Sequence, residues 1–141
     1  MDMQQLTDLI EITPGKTVKY DLWTSAADTN TPPIVPELAV QIGLNESLML
    51  LQIARWIWTS GHEHDGHYWI CRSVREMRRE AFPYLKEATI YSTIASLRAQ
   101  RLIFTRHDLN KYVDDHTPWF ALNPEGLANL SCVTVYAVPQ S

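Results

Sequence analysis

Cysteine is scarce in this chain, and so is any long apolar run. Cys71 and Cys132 are the only two cysteines, lie far apart and form no CxxC pair. That excludes a disulfide scaffold or a thiolate metal centre and reads as free thiols in a reducing compartment. No uninterrupted apolar stretch approaches the roughly 20 residues that span a bilayer. The opening MDMQQLTDL is acidic and polar, where a secretory leader needs a basic and then an apolar run. The expected location is the cytoplasm, with no membrane partner. Positive charge is also in deficit: 12 Lys and Arg against 16 Asp and Glu give a net charge of −4, which excludes a surface that embraces nucleic acid on every side. No glycine-rich phosphate loop, no nucleophile with its base and orienting group, and no supported carboxylate pair is visible, so the sequence points to neither an enzyme nor a cofactor. The histidine-rich GHEHDGH at residues 61–67 has the residue types of a metal site but no second ligand cluster to complete it, and reads as a hydrogen-bonded turn without metal.

What is present is a core and an uneven distribution of charge. A hydrophobic content of 45% in 141 residues suffices for one domain of ordinary size. Residues 1–31 carry five acidic residues against Lys16 and Lys19, a local charge of −3, whereas residues 72–106 carry eight basic residues against Glu76, Glu80 and Glu87, a local charge of +5.

Periodicity places the elements. Alternating Ile10 and Ile12, a Pro14-Gly15 turn, and alternating Val18, Tyr20 and Leu22 predict a β-hairpin, with a partly ordered arm as the alternative. The linker-like TSAADTNTPP closes it. A short helix begins near Pro36 and stops at Gly43; Asn45 is the expected N-cap of a longer helix reaching Ser60. Leu48, Leu51, Ile53, Ala54, Ile57 and Trp58 cover most of that helix, with Arg55 and Trp56 at its less buried edge. Residues 61–66 read as a polar turn and Tyr68–Cys71 as a strand. Ser73 caps a third helix with Val74, Met77 and Ala81 inward and Arg75, Arg78 and Arg79 outward. Pro83 ends it, and the next helix starts near Lys86 or Glu87, with Arg98 and Arg101 in its last turn. Leu102–Arg106 and Trp119–Leu122 are the strands of a hairpin whose tip is residues 107–118. A helical turn from Asn123 and a strand from Cys132 to Val138 follow; that strand pairs either with the N-terminal hairpin or with a second copy of the chain. The order is that of an α+β fold, a winged helix-turn-helix with an extra N-terminal β-hairpin or arm (residues 1–31), a winged-helix domain (32–130) and a C-terminal strand and tail (131–141).

In the helix after Pro83, Ile90, Ile94 and Leu97 form a narrow apolar stripe at i, i+4 and i+7 while Thr89, Ser92, Thr93, Ser96 and Gln100 face away from it. A helix that enters a major groove needs short polar or basic side chains, which Lys86, Thr89, Ser92, Thr93 and Ser96 supply. Hydroxyls alone carry little affinity. Phosphate clamps are expected from Arg72, Arg75, Arg78 and Arg79 and from Arg106 and Lys111 on the wing. The bland reading is a solvated helix face paired with Glu76 and Glu80 at helical spacing. Asp108, Asp114 and Asp115 at the wing tip oppose phosphate, so wing contacts are expected to be short or absent.

Residues 32–70, then FPYLKEATIYSTIASLRAQRLI and TPWFALN, resemble the N-terminal winged-helix domain of bacteriophage and mobile-element replication proteins, the replisome organisers and initiators. The similarity extends over about residues 32–124. It departs from the family pattern at Lys86, where a serine-type cap is usual, at Tyr91 and Ser92, where basic residues are usual, and at Arg101, where glycine is typical. The resemblance implies binding of double-stranded DNA at a replication origin, often as an oligomer such as a homodimer, with a further C-terminal part contacting a replication-machinery protein. The alternative is a winged-helix protein-interaction module or transcriptional regulator without strong DNA binding, since fold does not dictate function.

Overall fold

The computed structural model describes residues 9–13, 16–20, 36–112, 114–130 and 133–137. The elements in order are β1 (Leu9–Thr13), β2 (Lys16–Tyr20), α1 (Pro36–Ile42), α2 (Leu44–Ser60), β3 (His62–His64), β4 (His67–Cys71), α3 (Val74–Glu80), α4 (Glu87–Ala99), β5 (Ile103–Arg106), β6 (Trp119–Leu122), α5 (Pro124–Leu127) and β7 (Val133–Ala137). The fold is α+β. The linker at residues 24–33 and Cys132 lie outside the described residues. No helix among the described residues is long and apolar enough to cross a membrane.

Two antiparallel sheets organise the chain. One has the order β1-β2-β7, with Val18 opposite both Ile10 and Val135, so the C-terminal strand pairs with the N-terminal hairpin of its own chain. The other has the order β3-β4-β6-β5; Ile70 and Cys71 of β4 face Phe120 and Trp119 of β6, and Ile103 of β5 faces Leu122.

Helix α2 runs through the middle. Every residue from Ser47 to Ala54 is buried, and Ser47, the one hydroxyl among them, donates to the Leu44 carbonyl at 2.8 Å. Such an all-round buried helix is a core element. Its cap is Gly43, not Asn45: the backbone there has φ 113°, a region that favours glycine, and the Gly43 carbonyl accepts from Ser47 N–H. The edge of the helix is also displaced from the expected place. Trp56 is 8% exposed and Trp58 57%, because the Arg72 guanidinium stacks over the Trp56 ring at 5.0 Å and covers it.

Residues 61–66 are not a simple turn. They contain β3 and a two-residue connection, Asp65 at φ 54° and Gly66 at φ 82°, that folds His64 opposite His67. Two consecutive positive φ values match the twist of a tight hairpin.

Helix α3 opens on a capping box: Ser73 Oγ accepts from Glu76 N–H, and Glu76 Oε1 accepts from Ser73 N–H, each at 3.0 Å. Those bonds hold the Glu76 carboxyl below its ordinary range. Helix α4 closes on a six-to-one and five-to-two pair of bonds, Leu102 N–H to Leu97 carbonyl and Arg101 N–H to Arg98 carbonyl, with Leu97 and Leu102 both buried beneath. This termination asks for a left-handed residue one position past the cap, and Arg101 supplies it at φ 60°. Arg101 therefore lies beyond the last turn rather than in it. A side chain in that region costs about 1 kcal/mol that glycine does not incur. Arg101→Gly is expected to raise the unfolding free energy by about 0.5–1 kcal/mol in urea denaturation; an unchanged or lower midpoint would contradict the left-handed assignment.

Candidate nucleic-acid interface

Helix α3 sorts its charges by side. At 100° per residue, Arg75, Arg78 and Arg79 occupy one sector and Glu76 and Glu80 the other, with Val74 and Met77 buried between them. The three arginines are exposed, and no ion pair joins them to another described residue. Arg72 behaves differently. Its Nε lies 3.4 Å from Glu80, its Nη1 donates to the Cys71 carbonyl at 2.8 Å, and its plane covers Trp56. It is a brace between β4, α3 and α2, engaged within the chain where Arg75, Arg78 and Arg79 are not ion-paired.

Helix α4 presents a different face from the one its hydroxyls suggest. Ile90 and Leu97 are fully buried and Ile94 is partly so, as the apolar stripe requires. Thr93, however, is 3% exposed, and its hydroxyl donates to the Thr89 carbonyl at 2.7 Å. It projects about 40° from Leu97 and about 60° from Ile90 around the helix, close enough to be carried into the core. Ser96 accepts from Gln100 Nε2, which also donates to the Ile42 carbonyl of α1, each at 3.1 Å. Thr93 is thus buried and Thr89 and Ser96 are half-buried, and it is Gln100 that ties α4 to α1. Of the expected groove hydroxyls, Ser92 alone is exposed, and it donates back to the Thr89 carbonyl at 2.9 Å. The outward face is Glu87, Ala88, Tyr91, Ser92, Ala95, Arg98 and Ala99, with Tyr91 61% exposed, an acid at its start and a base at its end. Lys86 occupies the N-cap position without a side-chain cap bond and is exposed.

The β5–β6 loop is occupied with itself. Arg106 is held by Asp108 and by Asp65, the latter at 2.8 Å, and its guanidinium lies 5.3 Å over the Trp69 ring. The paired guanidinium draws the Asp108 carboxyl down to about 2. Arg106 is therefore a tie between two hairpins rather than an open phosphate contact. Lys111 remains exposed at the tip, its ammonium 5.7 Å from the Tyr112 ring, in company with Asp108, Asp114 and Asp115. Two hydrogen bonds from Thr117, side chain and backbone, hold the Asp115 carboxyl below its usual range.

Composition gives little notice of Asn110. Its amide donates to the carbonyls of His107, Asp115 and Thr117 at 3.2, 2.8 and 2.9 Å, and its oxygen accepts from Trp119 Nε1 at 2.7 Å. The only sequence signal is an asparagine inside a long connection, a residue type suited to bridging backbone groups.

The histidines make ring contacts. His62 and His64 meet Trp119 edge-on at 6.2 and 5.9 Å, and His67 meets Phe104 at 5.3 Å. Among the described residues no three His, Cys, Asp or Glu side chains are grouped as metal ligands. Arg75, Arg78 and Arg79 on α3 and Lys86 ahead of α4 are thus exposed cationic groups without an ion pair among the described residues. No protein family, curated protein or solved structure matches the chain.

Proposed function

We propose that the chain is a winged-helix DNA-binding protein that engages duplex DNA non-covalently, in the initiation of phage or mobile-element replication or the organisation of its replisome, as a homodimer. The observation that carries the reading is the exposed face of α3 that bears Arg75, Arg78 and Arg79, none of them ion-paired with a described residue, together with the exposed Lys86 ahead of α4. Strand order supports the winged-helix part: β4, which precedes the two helices, is hydrogen-bonded to β6, and β5 lies outside it. In this reading Arg75, Arg78, Arg79 and Lys86 contact phosphates, and Tyr91 and Ser92 with the flanking alanines approach the groove. The β5–β6 loop contributes Lys111 at most. Arg72, Thr93 and Arg106 support the interface from behind.

A second reading, a protein-interaction module, is favoured by one observation. The loop expected to act as a wing is acidic and its only strand-borne cation, Arg106, is already paired. Fluorescence anisotropy with duplex DNA at two salt concentrations separates the readings. Under the DNA reading, affinity falls steeply with salt, and replacing Arg75, Arg78 and Arg79 together by alanine lowers the log–log salt slope by about 3. Absence of binding at low salt would leave the protein-interaction reading in its place.

A further inference from the structure

A cleft of about 750 Å³ opens where the end of α4, the start of β5 and α5 meet. Buried Gly126 and Ile103 line it, together with Arg98, Arg101, Phe104 and His67. Phe104 is 38% exposed, and its ring is steadied on one side by the edge-on imidazole of His67. The two guanidiniums have no ion pair among the described residues, and both lie on the exposed surface.

We propose that this cleft binds a nucleoside phosphate, with the base against Phe104 and the phosphate between Arg98 and Arg101. The site is separate from the arginine face of α3 and does not depend on duplex binding there. Guanidinium forks suit phosphate oxygens, and an aromatic face suits any nucleobase. An acidic peptide would satisfy the arginines but leave the Phe104 ring without a use; a nucleotide engages both. The volume is that of an ordinary small-ligand site. Glu125, which also lines the cleft, offers a carboxylate to sugar hydroxyls. The nucleotide can be free or an unpaired unit of a strand, since both present the same chemistry.

Titration calorimetry of the full chain with dATP, inorganic tripolyphosphate and a single-stranded oligo(dA) tests the site. Saturable dATP binding is expected, at least about tenfold weaker in Arg98→Ala and in Arg101→Gly and similarly weakened in Phe104→Leu. Tripolyphosphate is expected to lose affinity in the arginine variants alone. Arg101→Gly is expected to fold more stably, so its loss of binding cannot come from unfolding. Oligo(dA) binding tighter than dATP identifies a strand as the source; the reverse order identifies the free nucleotide. The variant lacking Arg75, Arg78 and Arg79 is expected to retain dATP binding, so this site and the duplex interface fail separately. A linear, unsaturating dATP response, or dATP affinity unchanged in Phe104→Leu and equal to that of tripolyphosphate, would overturn the proposal.

Discussion

Gly126→Ala is expected to cost about 3 kcal/mol of stability, although helix propensity alone would favour alanine by about 1 kcal/mol. The opposition is steric and comes from backbone. A Cβ on Gly126 would land on the carbonyl oxygen of Arg101, with the carbonyl carbon 2.9 Å away. Neither partner can withdraw easily. Asn123 donates its side-chain amide to the same Arg101 carbonyl at 2.8 Å and its backbone N–H to Leu102 at 2.9 Å, while its Oδ1 caps α5 through Glu125 N–H. The short helix is thereby fastened to the α4–β5 turn at the point where the methyl would intrude. Relief requires either breaking those bonds or displacing a turn whose φ is already left-handed at Arg101. Gly66 provides the contrast: a Cβ there meets nothing within 4 Å, so Gly66→Ala carries only the conformational cost of φ 82°, about 1 kcal/mol. Urea denaturation of both variants, with slopes unchanged, checks the ranking. A Gly126→Ala midpoint equal to wild type would mean that α5 does not sit against the turn.

The same contacts show how far sequence reading reaches in this chain. Alternation and helical periodicity depend on neighbours a few residues away, so α4, the β5–β6 hairpin and the inward set of α3 were all legible. Ser73 with Glu76 three residues on is a local pattern too, and its capping box was legible in half, through the serine. Some departures are local, such as the α2 cap at Gly43 and the hairpin at residues 61–66; the others lie where a distant group decides. Trp56 became buried because Arg72, sixteen positions later, lies over it. Thr93 was drawn inward because the core surrounding α4 is wider than the three-residue stripe of Ile90, Ile94 and Leu97. Among the site residues, Arg75, Arg78 and Arg79 were readable as outward from spacing alone. That Arg72 and Arg106 are occupied was not, since Glu80, Asp65 and the Trp69 ring reach them only through the fold. Charge counting overstates the available cations for the same reason.

Asn110→Asp is expected to destabilise the chain by about 3 kcal/mol at neutral pH, through an isosteric change that leaves packing alone. The orientation of the amide follows from its surroundings. Three carbonyl oxygens, those of His107, Asp115 and Thr117, converge on one end and require a donor. The Trp119 indole N–H meets the other end and requires an acceptor. An aspartate keeps the acceptor and turns the donor into a second, charged acceptor facing three carbonyls. The residues of the 107–118 loop then lose the group that gathers them, while the Trp119 indole at the start of β6 keeps its acceptor. Sign fixes the pH dependence. The carbonyls disfavour the ionised carboxyl, so its folded pKa is raised above the unfolded value of about 3.9. The deficit is therefore smallest below that value, where a neutral carboxyl still donates one hydrogen bond. It grows as pH rises and is complete above the raised folded pKa. Asn110→Ala removes both functions without adding charge, so its cost stays flat over the same range. Denaturation curves for the two variants between pH 4 and pH 8 distinguish a lost donor from an introduced charge. A pH-independent deficit in the aspartate variant would place the amide in the opposite orientation, with its oxygen toward the loop, and the loop would then need another source for its order.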